Sequence, residues 1–190
     1  DGSYMSAQYP IAVHYRADGE WKDIDNTISL DPDNDVFTNA AGKMNLQFAA
    51  HANSDLFRAQ QGQFSLAWDL EKKNVAKPQI QNPDEFNDPE ILNKIKSTVT
   101  YVDILDKTDL RYDVYGENVK ESIIVKEKKE NYEYAFELKT ENLPVSMRDD
   151  GSVTVADKEN DAHILYVFPT PFMYDANGKI STNVHYALDQ

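Results

Sequence analysis

Residues 97–126, STVTYVDILDKTDLRYDVYGENVKESIIVK, decide the fold class. Leu110, Tyr112 and Val114 alternate with Arg111, Asp113 and Tyr115; Gly116-Glu117 interrupts, and Val119, Ile123 and Val125 resume a period of two. Two such runs joined by a two-residue break predict a β-hairpin, and glycine at the first central position suits a type II′ turn, whose twist matches the flanking strands. The turn then fixes a register: Val114 opposite Val119, Leu110 opposite Ile123, and Asp113 opposite Lys120 as an opposite-charge pair. Glu121 breaks the pattern, because it falls on the apolar face directly across from Tyr112. A buried carboxylate without a partner is costly, so either Glu121 accepts a hydrogen bond from a tyrosine hydroxyl or an arginine, or this face is only half covered; a structural role for Glu121 and Tyr112 is the expectation. Gly116 is expected to be structurally required for the same hairpin.

Working outward toward the N-terminus, Ile11 to Arg16 and Trp21 to Ile24 read as strands around an Asp18-Gly19 turn. Asp31, Asp33 and Asp35 then place carboxylates at alternate positions, as calcium loops do. There is no glycine six positions in and no glutamate at twelve, so an acidic turn fits these residues better than a cation site. Further strands are expected at Lys43 to Ala49 and Gln63 to Leu70, the second with Phe64, Leu66 and Trp68 on one face. Residues 71–96 carry prolines at 78, 83 and 89 and scattered apolar positions, which reads as an inserted surface excursion. Asp88 before Pro89, followed by Ile91, Leu92 and Ile95, predicts one short helix over 89–96.

Downstream of the central hairpin, NYEYAFELK alternates Tyr132, Tyr134, Phe136 and Leu138 with polar neighbours, the pattern of an antiparallel strand covered on one side. Ser152 to Ala156 predicts a short strand, His163 to Phe168 a buried one that ends at Pro169-Thr170-Pro171, and Asn183 to Leu188 a last strand beyond an Asn177-Gly178 turn. Phe172, Met173 and Tyr174 are three consecutive large apolar residues beside that turn. If the segment is extended they cannot all face one core, and they are then the candidate interaction surface; the alternative is an irregular loop that tucks all three inward. The expected fold is therefore an all-β antiparallel sandwich forming one domain over 1–190, with one short helix in the excursion.

With 33 acidic against 19 basic residues, a net charge of −14 opposes nucleic acid and anionic membrane surfaces, both of which require Lys and Arg. No cysteine occurs, which removes disulfides, thiolate catalysis and thiolate metal sites and leans toward export. No apolar run approaches the roughly 20 residues of a membrane span, and the abrupt start reads as a piece of a larger polypeptide. The four histidines lie far apart in sequence, and no nucleophile, zinc or phosphate-loop motif is present. No cofactor is expected beyond the calcium alternative. Eleven tyrosines keep a carbohydrate-binding reading open, and a carboxylate pair of the glycoside-hydrolase kind is a more distant one.

Four segments, YPIAVHYRADGEWKDIDNTI, VTYVDILDKTDLRYDVYGENVKESIIVKE, FELKTENLPVSMRDDGSV and FPTPFMYDANGKISTNV, together resemble the N-terminal region of large secreted bacterial proteins with DNRLRE domains and YD (Rhs-type) repeats. The resemblance spans most of the chain but not 71–96, and brings no catalytic motif. It implies a non-catalytic structural or interaction module of a secreted or cell-surface bacterial protein, with neighbouring β modules of the same polypeptide as partners. A glycan or cell-wall polymer is the other partner considered, on the tyrosine content and the acidic turns alone.

Overall fold

The computed structural model describes residues 9–83 and 94–189. The chain divides into two compact units, Asp1–Lys139 and Thr140–Gln190, and every paired strand in both is antiparallel.

The first unit starts with a hairpin of β1 (His14–Ala17) and β2 (Glu20–Asp23). Its turn holds Asp18 and Gly19 at φ 55° and 85°, the double left-handed geometry for which Asp-Gly is suited. A meander of β3 (Asp25–Asp31), β4 (Val36–Ala41), β5 (Asn45–Ala49), β6 (Phe57–Gln61) and β7 (Phe64–Leu70) builds one sheet, to which β12 (Phe136–Lys139) adds beside β7. A second meander, β8 (Pro78–Gln81), β9 (Lys96–Leu105), β10 (Thr108–Tyr115) and β11 (Asn118–Val125), builds a four-stranded sheet. In the β10–β11 hairpin Leu110 pairs with Ile123, Tyr112 with Glu121, Asp113 with Lys120 and Val114 with Val119, the register that the apolar and charge patterns dictate.

These two sheets meet through rings. Tyr112 lies 5.5 Å from Phe48 and 5.4 Å from Phe57 across the interface, and Phe57 lies 4.3 Å from Trp68. Ring pairs of this kind contribute about 0.5–1.5 kcal/mol each beyond their buried area. Tyr101 carries its hydroxyl into the same core, where it donates to the carbonyls of Ala49 at 2.7 Å and Leu56 at 3.3 Å. The phenol is thereby satisfied without water.

The second unit holds β13 (Val145–Met147), β14 (Val153–Asp157) and β15 (Asn160–Phe168) in one small sheet, and β16 (Met173–Tyr174) with β17 (Ile180–Ser181) in another. Only β14 is apolar and buried along most of its length.

The sandwich-with-helix expectation needs correction: the described residues form five separate sheets, and no α-helix occurs among them. Of the expected 89–96 helix, residues 89–93 lie outside the described residues. Its end is extended instead, with Ile95 wholly buried and Lys96 opening β9. Within the same excursion, Pro78 begins the edge strand β8, where its missing N–H costs no ladder bond. The expected strand from Tyr132 shrinks to Phe136–Lys139, β15 is mostly exposed, and Asn183 to Leu188 is not a strand. Conversely, β4 and β6 escape the apolar pattern because VFTNAA and FRAQQ mix small and polar side chains.

Candidate functional site

The Glu121 carboxylate sits between the two large sheets of the first unit. Trp68, on β7 of one sheet, donates its indole N–H to Glu121 Oε2 at 2.7 Å and to the Tyr112 hydroxyl at 3.2 Å, both on the other sheet. Tyr112 and Glu121 share a further side-chain hydrogen bond. Burial pushes the Glu121 carboxyl above its ordinary range, and the bonds from Trp68 and Tyr112 pull the other way without reversing it. Burial also holds the Tyr112 phenol well above its ordinary range, with the Glu121 charge adding to the effect. Tyr112 is fully buried. Chemically the cluster is a polar bridge inside an aromatic core, and its phenol is closed to a substrate. The tyrosine partner is visible in the hairpin register. Trp68 as the main donor is not, although a core indole N–H always requires an acceptor.

A second buried polar device surrounds Gly116, which has φ 58°. Glu117 is not among the residues with positive φ, so only the first central residue is left-handed, as a type II′ turn requires. Space is equally decisive, because a Cβ on Gly116 would lie 2.6 Å from Ile11 Cδ1 and 2.8 Å from the Ala12 carbonyl oxygen. Asn26 on β3 is 1% exposed and donates its side-chain amide to the carbonyls of Ile95 at 2.8 Å and Gly116 at 2.9 Å. Its own backbone N–H reaches the Lys94 carbonyl at 2.6 Å and its carbonyl accepts from the Ser97 hydroxyl. One asparagine thus ties the first sheet to the start of β9 and the tip of the central hairpin. A lone Asn in a polar run, DNT, gives no warning of this.

Asp31 accepts from the backbone N–H of Asp33 at 3.1 Å and from Asn34 Nδ2 at 2.7 Å, bonds that hold its carboxyl below the ordinary range. Asp35 lies 3.9 Å from His51 Nε2. The Asp31 carboxylate is engaged by its own turn, and no group of three or more metal-ligating side chains assembles among the described residues.

In the second unit Phe172, Met173 and Tyr174 are 52%, 43% and 55% exposed. The Phe172 and Tyr174 rings lie on the same side of the strand, 6.4 Å apart and inclined by 31°. Tyrosines elsewhere are used differently: Tyr101, Tyr112 and Tyr166 are buried, while Tyr132 and Tyr186 join Tyr174 on the surface. Among the described residues of the first unit the most exposed aromatic side chain is Trp21 on β2, at 72%.

No known family profile matches the chain, and no solved structure matches it. It aligns along its whole length, 71–96 included, with the tRNA nuclease WapA of Bacillus subtilis strain 168 at 24% identity over 201 residues. The tRNA(Glu)-specific nuclease WapA of B. subtilis subsp. natto is equally similar, and the tRNA3(Ser)-specific nuclease WapA of Bacillus spizizenii is 23% identical. In each case the chain spans 8% of the relative's length. Over that short stretch, the chain is a distant homologue of the Bacillus WapA proteins.

Proposed function

We propose that the chain is a non-catalytic interaction module of a large secreted or cell-surface bacterial protein, and that its second unit docks a neighbouring β module of the same polypeptide. The observation that carries this reading is the exposed apolar run Phe172, Met173 and Tyr174, with Ile180 of the paired strand 65% exposed beside it. Isolated surface apolar residues are ordinary, but a contiguous run of large ones marks an interaction surface. The relatives are many times longer than the chain, so flanking modules are the natural occupants. The resemblance to DNRLRE and YD-repeat proteins supports the same arrangement, because β modules follow this region there. The nuclease activity in the relatives' names belongs to those whole proteins. A segment that is 8% of their length and carries a charge of −14 is poorly suited to hold a tRNA backbone.

Docking is tested by comparing the chain alone with a polypeptide extended by the downstream β module of its parent protein. Hydrogen exchange and limited proteolysis at 172–174 are expected to slow in the extended form, and the second unit's melt is expected to rise. Unchanged exchange, cleavage and melting would make this an independent bead and end the docking reading.

A further inference from the structure

The hairpin of β1 and β2 presents an aromatic platform edged by polar groups, and we propose that it binds a neutral glycan built of pyranoses with equatorial hydroxyls. The cross-strand pairs His14 with Asp23 and Arg16 with Trp21 share one face of this hairpin. All four side chains are exposed. Trp21 leaves most of its indole in water, although burying a ring of this size is among the largest apolar gains available to a chain. Beside it Ala12, Val13 and His14 line a shallow, open depression together with Trp21.

The platform is fixed at its base rather than free to fold away. Ile24 donates its N–H to the Val13 carbonyl at 2.9 Å and is itself 2% exposed. Ile11 and Ala12 pack where Gly116 lacks a side chain. The Asp18-Gly19 turn closes the other end, and His14 Nε2 is held 2.9 Å from Asp23 Oδ1. A preorganised surface loses less entropy on binding.

The chemistry of the edge selects the ligand class. A flat apolar ring face flanked by a cation (Arg16), an anion (Asp23) and an imidazole (His14) suits a molecule with one apolar face and hydroxyls around its rim. A pyranose with equatorial hydroxyls has that form: its axial C–H bonds lie on the ring faces, and its hydroxyls project sideways toward donors and acceptors. Neutrality follows from the net charge of −14, which opposes polyanions and leaves an uncharged glycan unaffected. The site lies in the first unit and is independent of the docking surface proposed for the second.

Trp21 is exposed while Trp68 is bonded within the core, so Trp21 can be exchanged without touching the buried cluster. Titration of the chain with β-1,4-linked hexamers of glucose and of N-acetylglucosamine, with polygalacturonate as the anionic control, is followed by isothermal titration calorimetry, which does not depend on Trp21 as a reporter. A saturable response to a neutral hexamer is expected, abolished in Trp21→Ala and weakened about tenfold in Asp23→Asn, the scale of one charge-assisted hydrogen bond. Trp21→Ala should melt with the parent, which separates lost binding from lost folding. A flat response to both neutral hexamers overturns the proposal. So does an undiminished response in Trp21→Ala, a response to polygalacturonate alone, or a signal that follows protein concentration without sugar.

Discussion

Two hairpins in this chain each carry a glycine of positive φ in the turn and have opposite fates. In β10–β11 the alternating residues Leu110, Tyr112 and Val114 are all buried, and the facing sheet supplies rings and an indole donor to meet them. In β16–β17, Asp175 accepts from the N–H groups of Asn177 and Lys179 to shape the turn, yet Met173, Tyr174 and Ile180 remain exposed. A turn sequence can therefore fix pairing without fixing burial. Strict alternation records a sheet face that is covered from one side, whereas the three large residues at 172–174 have no such cover among the described residues of their own unit.

The sharpest break of the comparison is at the two glycines. Gly116→Val must accept both a left-handed backbone and overlap with Ile11 and the Ala12 carbonyl. Strain and overpacking together predict a loss of about 2–5 kcal/mol, read as a fall in the first unit's melting temperature. Gly178 has φ 77°, but a Cβ there would meet nothing within 4 Å, so Gly178→Ala should cost only about 1–2 kcal/mol of backbone strain. Equal losses at the two sites would remove the distinction between a turn that is packed and one that is merely formed.

Asn26 comes next. Asn26→Ala leaves the carbonyls of Ile95 and Gly116 without their side-chain donor, a loss of about 2–4 kcal/mol at the usual cost of buried unsatisfied groups. Denaturant unfolding measures it, and a change under 1 kcal/mol (about a single ordinary hydrogen bond) would show that water replaces the amide there.

Glu121 gives a signed pH dependence. Burial raises its folded-state pKa above the unfolded value, so the folded chain holds this proton more tightly than the unfolded chain does. The stabilisation is complete below the unfolded pKa of about 4.3 and is lost as pH rises through the folded pKa. Relative to the parent, Glu121→Gln keeps an acceptor for Trp68 but removes this linkage. The difference in stability between parent and variant should shift against the parent as pH rises above about 4.3. A difference that stays constant with pH would mean that the indole and phenol hold the carboxylate ionised at no net cost.

The sequence discloses the central register because charge and apolar patterns agree there, and the need for a Glu121 partner follows from the same alternation. It hides what depends on long-range packing. Trp68 reads as a core residue, but its acceptor lies 53 positions away, and Asn26 bonds to Gly116 across 90. The prolines of the excursion disguise β8 as a loop, since an edge strand tolerates them. Around His163 to Phe168 the apolar run reads as buried, yet only Tyr166 of that run is, with Val167 54% exposed. Apolar content alone does not say whether anything covers it. The Phe172 to Tyr174 surface is legible for the complementary reason that consecutive large side chains on an extended chain must point to both faces.

The smallest expected effect tests that last point. Phe172 is half exposed in the chain alone and its ring stands 6.4 Å from that of Tyr174. Phe172→Ser should therefore change the stability of the isolated chain by no more than about 0.5 kcal/mol, the ordinary range for surface substitutions. The same substitution in a polypeptide carrying the downstream β module should cost more, because a ring that is solvated in one context would be desolvated in the other. The informative quantity is thus the difference between the two contexts. A near-zero effect in both places Phe172 outside any docking contact, whereas a loss well above about 0.5 kcal/mol in the isolated chain would show that the ring already supports its own unit. Only a small loss alone and a larger one in the extended polypeptide preserves the contrast between a hairpin buried by its own sheets and one left for a neighbour to cover.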